Sequence, residues 1–162
     1  MALTEENRAN LEKLATYLER LPADYDHFTM WTYCASDDDE AITRYALKNG
    51  GLAKCGAVAC AVGHGPAAGI LLNESEITSW GAPNWNDYAA RLIGSSYDEN
   101  YEWAFDTLWT DYDNTHQGAA ARIRYLLHYG KPPKRFEKPG DCLRAYKPFL
   151  KAPPQELEGV EQ

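Results

Sequence analysis

The stretch Thr115-His116-Gln117-Gly118-Ala119-Ala120-Ala121-Arg122-Ile123-Arg124-Tyr125-Leu126-Leu127-His128-Tyr129-Gly130 decides the fold class. Thr115 is a good N-cap, and Ala119, Ala120, Ile123, Leu126 and Leu127 recur at three- and four-residue steps. Gly130 stands just past the end, where a left-handed residue closes helices. The same grammar recurs upstream. Thr4 caps a run in which Leu11, Leu14, Leu18 and Leu21 share a face, until Pro22 stops it. Ser36 and the acids Asp37, Asp38, Asp39 and Glu40 read as a first helical turn, followed by inward Ile42, Tyr45 and Ala46 and a Gly50-Gly51 terminator. Further helices are expected over Gly56 to Val62, through Tyr88, Leu92 and Ile93, and from Ser95 or Ser96 through Tyr101, Phe105, Leu108 and Trp109. Phe28 to Cys34 alone has strand-like content, and suits a buried loop equally. The expected fold is mainly α, a compact single-domain bundle of about five or six helices.

After Gly130 the composition changes. Six of the nine prolines lie there, and seven bases against five acids leave the first 130 residues at −10. This divides the chain into an acidic helical domain over 1–130, a Pro-rich basic strap over 131–151 docked through Leu143, Tyr146, Phe149 and Leu150, and a disordered tail over 152–162. At 162 residues the chain is long enough for one hydrophobic core. Its net charge of −8 argues against a generic binder of nucleic-acid backbone, which needs concentrated Lys and Arg, so no direct nucleic-acid binding is expected. Leu52 to Leu72 is nearly free of charge, but Lys54, His64 and Gly65-Pro66 interrupt it, so it reads as core and not as a membrane span. Met1 runs directly into Thr4-Glu5-Glu6 with no signal-like apolar run, and four cysteines make no disulfide framework. A cytoplasmic setting follows as the expectation.

Two regions could carry function. From Tyr97 to Asp113 stand six acids and six aromatics, with no base between Ser95 and Thr115. Tyr101, Phe105 and Trp109 fit a core stripe, whereas Asp106, Asp111 and Asp113 lie at or beyond the unfavourable end of the helix dipole. Acids beside exposed Trp or Tyr suit a basic protein surface, so Asp98, Glu102, Trp103, Asp106, Asp111 and Asp113 form the candidate partner-binding set. The plain alternative is a solvated face that aids solubility.

The second region is Cys55 to Pro66. A helix beginning at Gly56 would place Cys55 at its positive end, where a thiolate is favoured, with His64 or His116 as base. Small neighbours (Gly56, Ala57, Ala59, Ala61, Gly63) equally suit close helix packing around buried cysteines. Zinc would need four convergent ligands drawn from Cys55, Cys60, His64 and one of Cys34, Cys142 or His116. On a continuous helix Cys55 and Cys60 would point about 140° apart, while Cys60 and His64 share a face. No nucleophile or metal signature is complete, so no cofactor is expected and a binding protein is preferred over an enzyme.

The segments Cys55-Gly56-Ala57-Val58-Ala59-Cys60-Ala61-Val62-Gly63-His64 and Asn114-Thr115-His116-Gln117-Gly118-Ala119-Ala120-Ala121-Arg122-Ile123 carry a resemblance. Together they resemble a family of small uncharacterised bacterial and phage or prophage proteins, over about Trp31 to Pro132. The resemblance implies a bacterial or phage setting and no particular chemistry. The expected function is a non-enzymatic accessory or inhibitory factor engaging a basic partner. The alternatives are a thiol- or metal-dependent enzyme on Cys55, His64 and His116, and a structural subunit of a larger assembly.

Overall fold

A computed structural model describes residues 2–36, 39–48, 58–133 and 139–151 of the chain. Its architecture is mainly helical: α1 (Glu5–Glu19), α2 (Asp39–Lys48), α3 (Trp85–Ile93), α4 (Glu99–Phe105), α5 (Trp109–Tyr112), α6 (His116–Tyr129) and α7 (Pro139–Tyr146). A two-residue antiparallel pair, β1 (Cys34–Ala35) with β2 (Val58–Ala59), aligns Cys34 with Ala59 and Ala35 with Val58. No helix among the described residues is long and apolar enough to cross a membrane.

The central packing is α1 against α6. Thr4 and Asn7 close a reciprocal capping box at the start of α1: the Asn7 amide donates to Thr4 Oγ1 (3.1 Å) and the Thr4 amide to Asn7 Oδ1 (3.0 Å). Thr115 caps α6 by accepting from the Gly118 amide (3.0 Å), and Gly130 ends it at φ 72°. Leu11, Leu14, Ala15 and Leu18 are wholly buried, as are Ala119, Ala121, Ile123 and Leu126 of α6. The alanines keep the α6 face flat, which lets the leucine ridge of α1 approach closely; each such leucine contributes about 1.5–3 kcal/mol.

Polar links fix the two helices in register. Arg124 grips Glu19 with two nitrogens (2.8 and 3.1 Å), donates to Thr16 Oγ1 (3.0 Å) and also reaches Glu12. Burial opposes charge on Glu19, yet hydrogen bonds from Arg124 and Lys151 hold its carboxyl below the ordinary carboxylate range. At the other end, the two His116 ring nitrogens lie 2.9 Å from the carbonyls of Leu18 and Pro22, tying the start of α6 to the exit of α1.

Two expectations are corrected here. The expected helix over Gly56 to Val62 is absent from its described part: Val58–Ala59 is β2, and only Val62–His64 turns, as a single 3₁₀ turn. The reason lies in Phe28 to Cys34. That segment brackets Ala59 from both sides, with Thr29 N–H donating to Ala59 O (3.0 Å) and Cys60 N–H to Thr32 O (2.8 Å), so the backbone bonds a helix would use are taken by a sheet-like partner. The helix expected from Ser95 or Ser96 starts later, after its Asp98 cap, and breaks at Asp106, so Leu108 points to solvent instead of inward. The Trp80–Trp85 loop covers the core only through Trp85, which stacks near Tyr33 (6.4 Å), while Trp80 is 87% exposed.

Pro139–Tyr146 is helical, and Tyr146 is buried against Trp103 and Trp109, each at 5.8 Å between ring centres. Phe149 packs on Tyr125 (5.9 Å), whereas Leu143 and Leu150 remain largely exposed. Asp37, Asp38, the Gly50-Gly51 terminator, Cys55, the start of the expected Gly56 helix and the expected tail over 152–162 lie outside the described residues.

Candidate functional site

The acidic–aromatic block folds as α4, a turn and α5, and this divides its residues into two sets. Asp98 caps α4, accepting from the Tyr101 amide (3.1 Å), and Asp106 takes the Leu108 amide (2.7 Å) in the turn that follows. Trp103 is fully buried and donates its indole N–H to the Arg122 carbonyl (3.0 Å). Its ring meets Trp109 edge-on (5.6 Å) and lies 5.2 Å from Tyr125. The expectation of Trp103 as a surface contact is therefore corrected. An indole with a backbone acceptor and several aromatic neighbours is better satisfied inside than in water.

Asp113 is likewise turned inward. It accepts from Tyr146 OH (2.5 Å) and Thr115 Oγ1 (2.5 Å) and lies 3.6 Å from Arg122 Nη1, with its side chain only 13% exposed. Arg122 is completely buried, its guanidinium 4.0 Å from the centre of the Trp109 ring. Its three side-chain nitrogens make no hydrogen bond among the described residues, so Asp113 and the π-faces of Trp109 and Tyr146 are what offset its charge. Burial lowers its pKa to about 10 against the opposing pull of Asp113. Gly118 makes this possible, because a Cβ there would stand 1.9 Å from Asp113 Oδ2. Gly118→Ala is expected to displace Asp113 and lower stability by about 1–3 kcal/mol, measured by urea denaturation.

What remains on the surface is Tyr97 (78% exposed), Leu108 (64%), Tyr112 (49%), and the carboxylates of Glu99, Glu102 and Asp111, with Asp98 and Asp106 half-buried at their edge. Four of the six expected contact residues, Asp98, Glu102, Asp106 and Asp111, thus keep some or all of their exposure.

The thiol and imidazole candidates separate differently. Cys55 lies outside the described residues. Cys60 is buried, and burial pushes its thiol up to about 11, which keeps it protonated at neutral pH. His64 has no exposed surface; its Nδ1 lies 2.8 Å from the Cys60 carbonyl and its Nε2 3.3 Å from Tyr25 OH. Burial lowers its pKa to about 4. The fold does bring His64 and His116 together. Tyr25 stands 5.7 and 6.2 Å from their rings, and Phe28 stands 5.4 and 6.1 Å from them. Cys60 offers His64 its carbonyl and not its sulfur, so the two do not form a nucleophile–base pair. No group of three or more His, Cys, Asp or Glu suited to a metal ion occurs among the described residues.

One feature carried no sequence signal. A groove of about 560 Å³ runs between α2 and the turn after Ile77, lined by Glu40, Thr43, Arg44, Leu47, Lys48 and Trp80 among others. Residues 40–48 and 80 are distant in sequence, and only folding juxtaposes them. Compared with protein-family models, curated proteins and solved structures, the chain matches none.

Proposed function

We propose that this protein is a non-enzymatic binding protein, an accessory or inhibitory factor that docks a basic partner protein through the α4–α5 surface. The resemblance carried by its Cys55–His64 and Asn114–Ile123 segments favours a phage or mobile-element setting in a bacterial cytoplasm. One observation carries the reading. Tyr97, Leu108 and Tyr112 stand exposed on a stretch that bears six carboxylates and no base from Ser95 to Thr115. Exposed aromatics within a single-signed rim supply both an anchor and electrostatic steering for a partner of opposite charge. The occupied ring nitrogens of His64, one of the two imidazoles a thiol nucleophile would need as base, support binding over thiol chemistry.

Glu102→Lys/Asp111→Lys changes two exposed carboxylates and leaves the Asp98 and Asp106 caps intact. In pull-downs from bacterial lysate, wild type is expected to recover a basic protein at low salt and to release it at high salt. The double variant should lose it at least about tenfold while melting at the same temperature. Equal recovery by both, or capture insensitive to salt, refutes the reading.

A further inference from the structure

We propose that the groove between α2 and the Trp80 turn is a binding site for a free nucleoside phosphate, whose base stacks on Trp80 while its phosphates pair with Arg44 and Lys48. The inference does not depend on the acidic face.

Trp80 is 87% exposed, yet it does not sit on a slack loop. Thr78 N–H donates to Ala82 O (2.8 Å), Gly81 N–H to Thr78 O (2.9 Å) and Ala82 N–H to Thr78 Oγ1 (3.1 Å). The Thr43 hydroxyl then ties the turn to α2 through Gly81 O (3.1 Å). The turn that presents this indole to water is fixed by four hydrogen bonds, so little backbone ordering cost falls on binding.

Arg44 and Lys48 are one helical turn apart, with Cβ atoms about 6 Å from each other. Both are exposed, and among the described residues neither has a carboxylate within ion-pair distance. Arg91, Arg124 and Lys151, in contrast, are each held against a glutamate, and Arg122 lies near Asp113. Among the described residues these two adjacent bases are unpaired, and with Glu40 they leave the groove lining at a charge of +1 in a chain of net charge −8. Arg44 can take a phosphate bidentately and Lys48 as a point charge. Glu40, one turn earlier, offers an acceptor for a ribose hydroxyl or a base amino group. Leu47 supplies apolar lining, and about 560 Å³ is the size of a small-molecule site. Two cations suit one or two phosphates; a long polyanion would meet the overall negative field of the protein.

Indole fluorescence and calorimetry with ADP, GDP, CDP and UDP test the proposal at about 50 mM salt. At least one nucleotide is expected to saturate with a Kd below about 1 mM, with adenosine and inorganic phosphate each at least about tenfold weaker. Trp80→Ala and Arg44→Gln/Lys48→Gln should each weaken binding about tenfold or more with unchanged melting temperature, because all three side chains are exposed. Glu102→Lys/Asp111→Lys should bind as wild type. The proposal is overturned by no saturation with any of the four up to about 5 mM, or by binding that survives both groove variants. A single-stranded oligonucleotide or an acidic peptide binding there more than about tenfold tighter than every nucleotide would overturn it too.

Discussion

Asp113→Ala is expected to lower the unfolding free energy by about 3–5 kcal/mol, the scale on which a buried charge is left without its counter-ion. Arg122 has no exposed surface and no hydrogen bond among the described residues, so removing the carboxylate 3.6 Å away leaves only the Trp109 and Tyr146 rings to face the guanidinium. The same change strips Tyr146 OH and Thr115 Oγ1 of their acceptor. Arg122→Met introduced into that background should recover much of the loss, because it removes the uncompensated charge and keeps an apolar stem over Trp109. Urea denaturation of wild type, both single variants and the double variant yields the coupling energy directly. A loss below about 1 kcal/mol for Asp113→Ala would show that the charge is offset elsewhere.

The second large effect is on pH. His64 is held neutral in the fold with its pKa lowered to about 4 by burial, whereas an unfolded histidine takes up a proton near pH 6.5. Between these values the unfolded chain binds the extra proton, so stability rises with pH there by about 1.4 kcal/mol per unit. His64 therefore contributes fully above about pH 6.5, and its contribution is lost as pH falls toward 4. From pH 6.5 to 4.5 the loss should be about 2 kcal/mol. The groups facing the ring are Tyr25, Tyr17, Phe28, His116 and His27. Glu19, whose carboxyl is held low, adds its own loss only below about pH 4.5, outside this window. In His64→Gln the slope between pH 4.5 and 6.5 should flatten by about 1.4 kcal/mol per unit relative to wild type, even though the variant starts less stable. Identical slopes in the two proteins would show that the imidazole is not shielded from solvent.

How much was legible depends on whether the deciding physics is local. Thr115 and Gly130 bound α6, and Thr4 starts α1, because capping and left-handed closure act within a few residues and leave their mark in the sequence. The inward faces of both helices follow from the same 3.6-residue period. Val58–Ala59 shows the opposite case. Its small residues fit a helix locally, but Phe28 to Cys34, some thirty residues away, competes for its backbone hydrogen bonds and wins.

The acidic block was half legible. Its charge, its aromatics and its lack of bases are plain in the chain, but not which of them face water. The break at Asp106 rotates α5 relative to α4, and α6 and α7 then enclose Trp103 and Asp113 while leaving Leu108 and Tyr112 outside. Arg122 gave no warning either, since a helical arginine is ordinarily solvated and only the convergence of Trp109, Asp113 and Tyr146 makes burial tolerable.

Caps, periodicity and composition are properties of neighbouring residues, and they suffice for a mainly helical, acidic chain and for the limits of its principal helices. Packing between distant segments settles which acids and aromatics are surface and which are interior, brings His64 and His116 into one aromatic nest, and sets Trp80 across a groove from Arg44 and Lys48. Those outcomes depend on contacts between segments tens of residues apart, whose free energy is gained only when the helices pack.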